Sequence, residues 1–139
     1  MSYGMAGVLQ EAVFQRLRGD TALQALVGAE VFDAVPGGTL PATYVVVGEE
    51  DVRDRSDATG GGARHDFTVS VVSDASGFAT AKAAAGAVSD ALVDAGLTLA
   101  RGRLVGLWFL RAKADRTGAG DGRRIDLRFR ARVEDEEEA

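Results

Sequence analysis

The sequence predicts an α+β fold, in which a mostly antiparallel sheet of four strands, or slightly more, carries two main helices on one face. Two observations support this prediction. Strict alternation of apolar and polar residues over 65–73 and 123–134 is typical of half-buried strands. Apolar residues at helical spacing over 5–17 and 77–96 predict helices that cover such a sheet. A chain of 139 residues is long enough for one domain with its own core.

The N-terminal third begins with helices and ends with a strand. An apolar residue at every fourth position of 5–17 predicts the first helix, and Asp20 is placed to cap a short second helix over 21–26. A turn and a short strand follow within 27–34. The segment 42–50 is rich in β-branched residues and predicts a buried strand. The apolar stripe of the first helix has four members: Met5, Leu9, Val13 and Leu17.

The middle of the chain contains two strands joined by a polar segment. Residues 51–63 are glycine-rich and poor in apolar side chains, which predicts a long mobile loop. The strands 42–50 and 65–73 on either side of it are therefore expected to be neighbours in one sheet. One face of the second strand is apolar: Phe67, Val69 and Val71.

The C-terminal half contains one helix and two strands. Ser76 is placed to cap a helix over 77–96, whose apolar stripe is mostly alanine, so its axis can lie close to the sheet. Residues 103–112 are apolar on both faces, which predicts a strand that is either central or at an interface. Strand 123–134 places five apolar residues on one face and four arginines and an aspartate on the other. A hairpin loop over 114–122 joins these two strands.

Composition and charge exclude several classes of protein. The chain has no cysteine, which excludes disulfides and thiolate metal sites. No apolar run approaches the roughly 18 residues of a membrane span, and the N-terminus lacks the pattern of a secretion signal. Residues 134–139 hold five acids, whereas residues 1–133 hold 16 acids and 16 bases. We therefore predict a single neutral domain over 1–133 and an acidic, disordered tail over 134–139.

No catalytic or cofactor-binding pattern is complete. The glycines at 60–62 lead into a strand rather than a helix, and the chain has no Gly-Lys pair, so neither a phosphate loop nor a dinucleotide fingerprint is present. His65 lacks companion ligands or a nucleophile, and is expected to be a surface or edge residue at a strand start. Glu49 and Asp51 share a face but lack the further oxygen ligands of a cation site. We therefore expect no catalytic residue, no cofactor and no metal.

The most informative feature is the row of arginines on the polar face of strand 123–134. Three interpretations remain open: a solvent-exposed face, contact with nucleic-acid phosphates, or an interface in which arginines of one copy pair with acids of another. Phe129 lies on the opposite face, so the row supplies no aromatic ring for base stacking. The polar segment 51–64 is suited to ordering on a partner. The candidate interface residues are Arg53, Arg55, Asp57, Gly60, Gly61, Gly62, Arg64, Arg124, Arg128, Arg130 and Arg132.

Two short pieces and the order of the elements carry a family resemblance. The pieces are P-x-x-Y-V-V-V-G at 41–48 and H-D-F-T-V-S-V at 65–71, the second followed by the alanine-rich helix. Over nearly its whole length the chain resembles the tail-completion, or tail-terminator, proteins of phages with long non-contractile tails and of gene transfer agents.

The resemblance implies a structural role. Such proteins form a ring, typically of six copies, on the head-proximal end of the finished tail tube. The ring stops tube polymerisation and presents a surface to the neck proteins, and DNA passes through its centre. The implied partners are further copies of the chain, the tail tube protein and a neck or stopper protein, with no membrane and no active site. The implied location is the head–tail junction of the virion, after assembly in the host cytoplasm.

Three other functions remain as alternatives. The first is a head-completion or stopper protein on the head side of the same junction, which composition does not separate from a tail protein. The second is a small enzyme with a site built from Glu49, Asp51 and His65. The third is a sequence-independent nucleic-acid binder that uses the arginine row, although the net negative charge and the acidic tail argue against it.

Overall fold

The computed structural model describes residues 3–35, 37–55, 61–93, 95–117 and 122–135. Within these ranges the chain forms three helices and five strands, and the strands make one sheet. In chain order the elements are α1 (Ala6–Gly19), α2 (Thr21–Val27), β1 (Val31–Phe32), β2 (Thr43–Asp54), β3 (Gly62–Ser73), α3 (Ala79–Leu92), β4 (Arg103–Thr117) and β5 (Gly122–Glu134).

The strands lie in the order β1-β2-β3-β5-β4. The two-residue β1 runs parallel to β2, and the other neighbouring pairs are antiparallel. This arrangement confirms the predicted α+β class and the predicted pairing of strands 42–50 and 65–73. The short β1 lies within 27–34, where a short strand was predicted, and brings the sheet to five strands.

Strand β4 forms an edge of the sheet, so the prediction of a central strand is wrong. Among the described strands it pairs with β5 alone, because β5 returns along the chain between β3 and β4. The apolar residues on both faces of β4 are therefore not explained by burial within the sheet. The other interpretation given for this strand, a position at an interface, is consistent with an edge.

The core lies between the helices and one face of the sheet. All four members of the predicted α1 stripe are buried, and β3 and β5 alternate between this core and the opposite face. Phe129 is fully buried, with its ring centroid 5.7 Å from that of Phe67 and 5.9 Å from that of Phe109. Helix α3 packs close because most of its buried residues are small: Ala81, Ala84, Ala85, Val88, Ala91 and Leu92.

Of the two N-cap residues predicted for α2 and α3, one is confirmed and the other is wrong. The carboxylate of Asp20 caps α2 as predicted, because it accepts a hydrogen bond from the backbone N–H of Leu23 at 3.0 Å. The prediction of Ser76 as the cap of α3 is wrong, since Phe78 is the N-cap residue and makes no side-chain cap bond. The guanidinium of Arg123 lies 5.1 Å from the Phe78 ring and donates to the Ser76 carbonyl instead.

Strands β2 and β3 are longer than the sequence predicted. β2 continues to Asp54 and β3 begins at Gly62, so much of the predicted loop over 51–63 is strand. The backbone N–H of Arg55 donates to the carbonyl of Gly62 at 2.8 Å and continues the pairing one step further. Polar residues are compatible with these strand ends because one face of the sheet carries no helix.

The folded body also extends past residue 133. Glu134 is the last residue of β5. The carboxylate of Asp135 accepts two hydrogen bonds from Arg101, at 2.7 and 2.6 Å, and its backbone N–H donates to the carbonyl of Gly61 at 2.9 Å. Two residues of the predicted acidic tail therefore belong to the end of the sheet, and residues 136–139 lie outside the described ranges. None of the described helices is long and apolar enough to cross a membrane.

Replacing Phe129 by alanine should lower the free energy of unfolding by about 3–5 kcal/mol, because it empties a fully buried site in the aromatic cluster. Urea unfolding followed by circular dichroism measures this change. The matched control is Phe109→Ala, since Phe109 belongs to the same cluster but is 44% exposed, and we expect a loss of about 1–2 kcal/mol there. Equal losses in the two variants would contradict this account of the core.

Replacing Gly102 by alanine should destabilise the fold more than the same change at Gly96. Both glycines have a φ of 63°, so both variants incur about 1–2 kcal/mol of backbone strain. A methyl group at Gly102 would also collide with the carbonyl oxygen of Glu134 and with the side chain of Met5, whereas nothing lies within 4 Å at Gly96. We expect a further loss of about 1–3 kcal/mol at Gly102. Urea unfolding measures the free energy of unfolding of both variants, and equal losses would contradict this prediction.

Candidate assembly interface

Strand alternation leaves one face of the sheet without helices, and we call this surface the open face. Bulges in β2 and β4 decide which of their side chains lie on it, since the register shifts after Gly48, Leu104 and Phe109. Bases outnumber acids on the open face. Its charged and aromatic members include Phe32, Tyr44, Glu49, Asp51, Arg53, Arg64, Asp66, Arg103, Trp108, Arg111, Lys113, Asp115, Arg124, Asp126, Arg128, Arg130, Arg132 and Glu134.

One row of the open face consists of arginines alone. Arg53, Arg64 and Arg132 occupy directly paired positions on β2, β3 and β5. Like charges in such positions destabilise a sheet unless anions lie near. Arg64 lies 3.9 Å from the carboxylate of Asp66, and Arg132 donates to the carbonyl of Arg55 at 3.2 Å. The row is therefore a local excess of positive charge that its neighbours partly neutralise.

The next row contains a two-pronged ion pair. Arg130 donates from Nε and Nη2 to the two carboxylate oxygens of Asp66, at 2.9 and 3.1 Å. These hydrogen bonds hold the pKa of Asp66 below its usual value against the opposing effect of burial, and the charges of Arg130, Arg64 and Arg128 lower it further. The same hydrogen bond raises the pKa of Arg130. Arg130 is thus held by its own subunit.

The remaining arginines of the predicted row also have partners inside the subunit. Arg124 donates to the carboxylate of Asp126 at 2.9 Å and to the hydroxyl of Ser70 at 3.1 Å. Ser70 in turn donates to Asp126 at 2.5 Å. Arg128 donates to the hydroxyl of Thr68 at 3.0 Å. The row predicted as an intersubunit contact is therefore first of all a set of bonds between β5 and its neighbour β3.

Strand β4 adds bases that the sequence analysis did not select. Together with Arg124 and Arg128, the β4 residues Arg111 and Lys113 line a concavity of about 410 Å³ on the open face. Lys113 lies 3.7 Å from the carboxylate of Asp115. The Arg111 guanidinium has neither a hydrogen bond nor an ion pair among the described residues. It is therefore available to an external acid.

The structure brings together six of the eleven predicted interface residues. The four arginines of β5 lie on the open face with Arg53 and Arg64. Arg55 and Gly61 flank the end of the β2–β3 hairpin, and Gly62 is buried as the first residue of β3. Two predicted residues lie outside the described ranges: Asp57 and Gly60.

The edge of the sheet at β4 carries an exposed apolar group. Val105, Trp108, Phe109 and Leu110 are each 39–45% exposed. The Trp108 ring lies over Gly106 and leaves no room for a side chain there. A long, exposed, apolar edge strand is a typical site of association. The signal in the sequence was the run of apolar residues on both faces, which the prediction assigned to a central strand or an interface.

Comparison with known proteins identifies the family. The family described as "Tail completion protein gp17" matches residues 11–134. The chain belongs to this family. Among solved structures, a chain of the "Virion of native gene transfer agent (GTA) particle" is 68% identical, and the alignment covers 96% of this chain and 99% of that chain with a TM-score of 0.91. No curated protein matches the chain. Tail completion is a structural role, so the protein is not an enzyme.

The histidine of this tail completion protein is not at the surface. His65 is fully buried on the helix side of the sheet, so the prediction of a surface or edge residue is wrong. Its Nδ1 lies 3.3 Å from Oε2 of Glu50. The other oxygen of Glu50 accepts a hydrogen bond from the Tyr3 hydroxyl, and this bond raises the pKa of Tyr3. The cluster ties the N-terminal segment to β2 and β3.

The alternative site of Glu49, Asp51 and His65 is not assembled. After the bulge, Asp51 pairs with Asp66 on the open face, whereas His65 lies on the helix side. Glu49 borders the concavity of the open face, so the sheet separates it from His65. Among the described residues, no group of three histidine, aspartate or glutamate side chains is placed to hold a metal ion.

The Asp66–Arg130 pair predicts a loss of stability in acid. Asp66 has a lower pKa in the folded chain than its unfolded value of about 3.9. The contribution of the pair is therefore complete above that unfolded value and is lost as the pH falls through the lower, folded value. NMR titration of the Asp66 carboxyl carbon measures the pKa, and urea unfolding at several pH values measures the stability.

Two arginine variants distinguish the effect of the ion pair on the pKa of Asp66 from the effect of the net charge of the open face. Arg130→Gln should return the pKa of Asp66 toward its ordinary value and remove this part of the pH dependence. The matched control is Arg132→Gln, which removes the same charge from the same strand without touching Asp66, and should leave the pKa of Asp66 in place. An Asp66 pKa that is unchanged in Arg130→Gln would contradict the assignment.

Proposed function

We propose that the protein forms a homo-oligomeric ring, a hexamer, that caps the head-proximal end of the tail tube. The ring ends tube polymerisation and joins the tail to the head or neck, and DNA passes through it without sequence-specific binding. The protein is then part of the particle, located at the head–tail junction after assembly in the host cytoplasm. Its partners are further copies of itself, the tail tube protein and a neck or stopper protein.

The observation that carries this proposal is the similarity to a chain of a gene transfer agent virion. The two chains match over nearly their whole lengths at 68% identity. At this level of identity and structural similarity the two chains share one fold, and we infer that they occupy the same place in their particles. The family description of tail completion agrees with a position at the end of the tail.

The architecture of the subunit supports a ring. The single sheet has two different edges, β1–β2 on one side and β4 on the other. A repeated contact between two unlike surfaces produces a closed ring when its rotation closes. A sheet with one apolar edge left open is suited to such a repeated contact.

The open face supports a loose contact with DNA. Bases and acids are interspersed on it, with the bases in excess, and the arginines of β5 are already hydrogen-bonded inside the subunit. Phosphate contacts made by such a face are electrostatic and carry no sequence information. Among the described residues of this face, Trp108 lies on β4, whereas Phe32 and Tyr44 pack against each other on β1 and β2, so the rings do not form a continuous row for stacking along a strand. These properties suit DNA in transit.

Deleting the gene tests the proposal through the length of the tails. Without a cap, tube polymerisation has no stop, so we expect tails of uncontrolled length that are separated from filled heads. Electron microscopy of particles from the deletion strain measures both features. The control is the same strain supplied with the intact gene, which should restore uniform, joined tails.

Two other outcomes would contradict the cap. Tails of normal length beside unjoined or leaking heads would move the protein to the head side of the junction, as a head-completion or stopper protein. Normal, joined particles would remove the structural role in assembly altogether.

A further inference from the structure

We infer that neighbouring copies join through opposite edges of the sheet, with β4 of one copy against the β1–β2 edge of the next. This inference rests on the proposed ring and identifies the two surfaces that build it. It replaces the arginine row of β5 as the main subunit contact, because those arginines are bonded within their own subunit.

Both edges carry exposed apolar side chains. At β4 these are the four residues from Val105 to Leu110 described above. Toward the other edge, Val35 and Leu40 lie in the connection between β1 and β2 and are 50% and 44% exposed, and Leu26, at the end of α2 shortly before β1, is 43% exposed. Exposed apolar groups of this kind are typical of surfaces that are buried on association. Exposed apolar groups at the two opposite edges of one sheet are suited to a head-to-tail contact between copies.

The charges of the two edges are complementary. Strand β4 carries four bases and one acid, whereas residues 30–54, which contain β1 and β2, carry six acids and one base. Glu49 and Asp51 are exposed on the open-face side of β2, and Arg111 and Lys113 are exposed on the open-face side of β4, so these charges lie at the two margins of the open face. Opposite charges across an interface select the partner surface and its orientation. Each edge is therefore matched to the other and not to itself.

The backbone of both edges is available for pairing. β1 covers β2 at Val45 and Val46, and from Val47 to Asp54 the outer side of β2 has no partner strand among the described residues. The outer side of β4 is likewise unpaired among the described strands over 15 residues. Strand addition at such edges supplies main-chain hydrogen bonds without requiring a special sequence.

A two-fold contact between two β4 strands fits these observations less well. It would place the bases of one β4 against those of the other, and like charges across a strand pair are destabilising. It would also leave the apolar group around β1 exposed. A two-fold contact closes at two copies and builds no ring.

A charge-swap experiment tests the head-to-tail contact. Variant A carries Arg111→Glu and Lys113→Glu, so that both of its edges are acidic. Variant B carries Glu49→Lys and Asp51→Lys, so that both of its edges are basic. When either variant is present alone, every contact between copies places like charges opposite each other. In a mixture, A and B alternate and each contact again joins an acidic edge to a basic edge.

The readout is tail length in the deletion strain supplied with A, with B or with both genes. We expect wild-type protein and the A-plus-B mixture to restore uniform tails, and each variant alone to fail. Sedimentation of the purified full-length proteins at low salt should agree, with self-association of A or B weakened at least about tenfold and recovered on mixing. Circular dichroism establishes that each variant is folded.

The matched control places the charge change of variant A on the helices, as Arg18→Glu with Lys82→Glu, two exposed residues that belong to neither edge. This control should restore tails as the wild type does. Restoration by A alone and by B alone would overturn the inference while leaving the cap intact. Restoration by B alone together with failure of A alone would show that the acids of β2 are not needed for the contact, and would overturn the inference too. Uniform tails in the strain without any copy of the gene would instead overturn the proposed function.

Discussion

The row of Phe67, Phe129 and Phe109 across β3, β5 and β4 is the contact on which the rest of the structure depends. The three residues are direct partners in the register of the sheet, and their rings pack against one another beneath the helices. Because side chains alternate along a strand, a slip of one residue would carry the arginines of β5 into the core. Burying unpaired charges is far more costly than losing any ring contact. The aromatic row on the helix side of the sheet and the arginines on the open face therefore both favour the same pairing register of the strands.

That register also decides which charges remain available to partners. The arginines of β5 were interpreted as contacts for another molecule because their own strand places a single acid, Asp126, on the same face. In the sheet, β3 places Asp66 and Thr68 directly opposite Arg130 and Arg128, and Ser70, opposite Asp126, accepts a hydrogen bond from Arg124. The neighbouring strand β3 therefore supplies hydrogen-bond partners for arginines whose own strand has only one acid on that face. On the other flank of β5, the bulge after Phe109 places Arg111 and Lys113 at the edge, where fewer partners exist.

The parts of the fold that could be predicted from the sequence are those that follow a local period. The stripe of α1 and the alternation of β3 and β5 needed no knowledge of their partners, and both were correct. The burial of His65, the extension of β2 to Asp54 and the edge position of β4 depend on which strands pair and where bulges occur. Those are non-local properties. The predicted cap of α3 failed because Phe78, not Ser76, occupies the N-cap position and no side chain caps the helix, while the distant Arg123 holds this segment through the Phe78 ring and the Ser76 carbonyl.

The same distinction applies to assembly. A period along the chain reveals which residues face a core, but a subunit contact depends on what the folded sheet leaves uncovered at its two ends. In this sheet the uncovered parts differ in charge and each carries apolar side chains, so they are complementary to each other. Joining copies through the edges uses open-face charges at the two margins of the sheet, on β2 and β4, and leaves the middle of the open face and the helix face free. A ring built in this way would keep the arginines of β5 for a polyanion and a separate helical surface for protein neighbours.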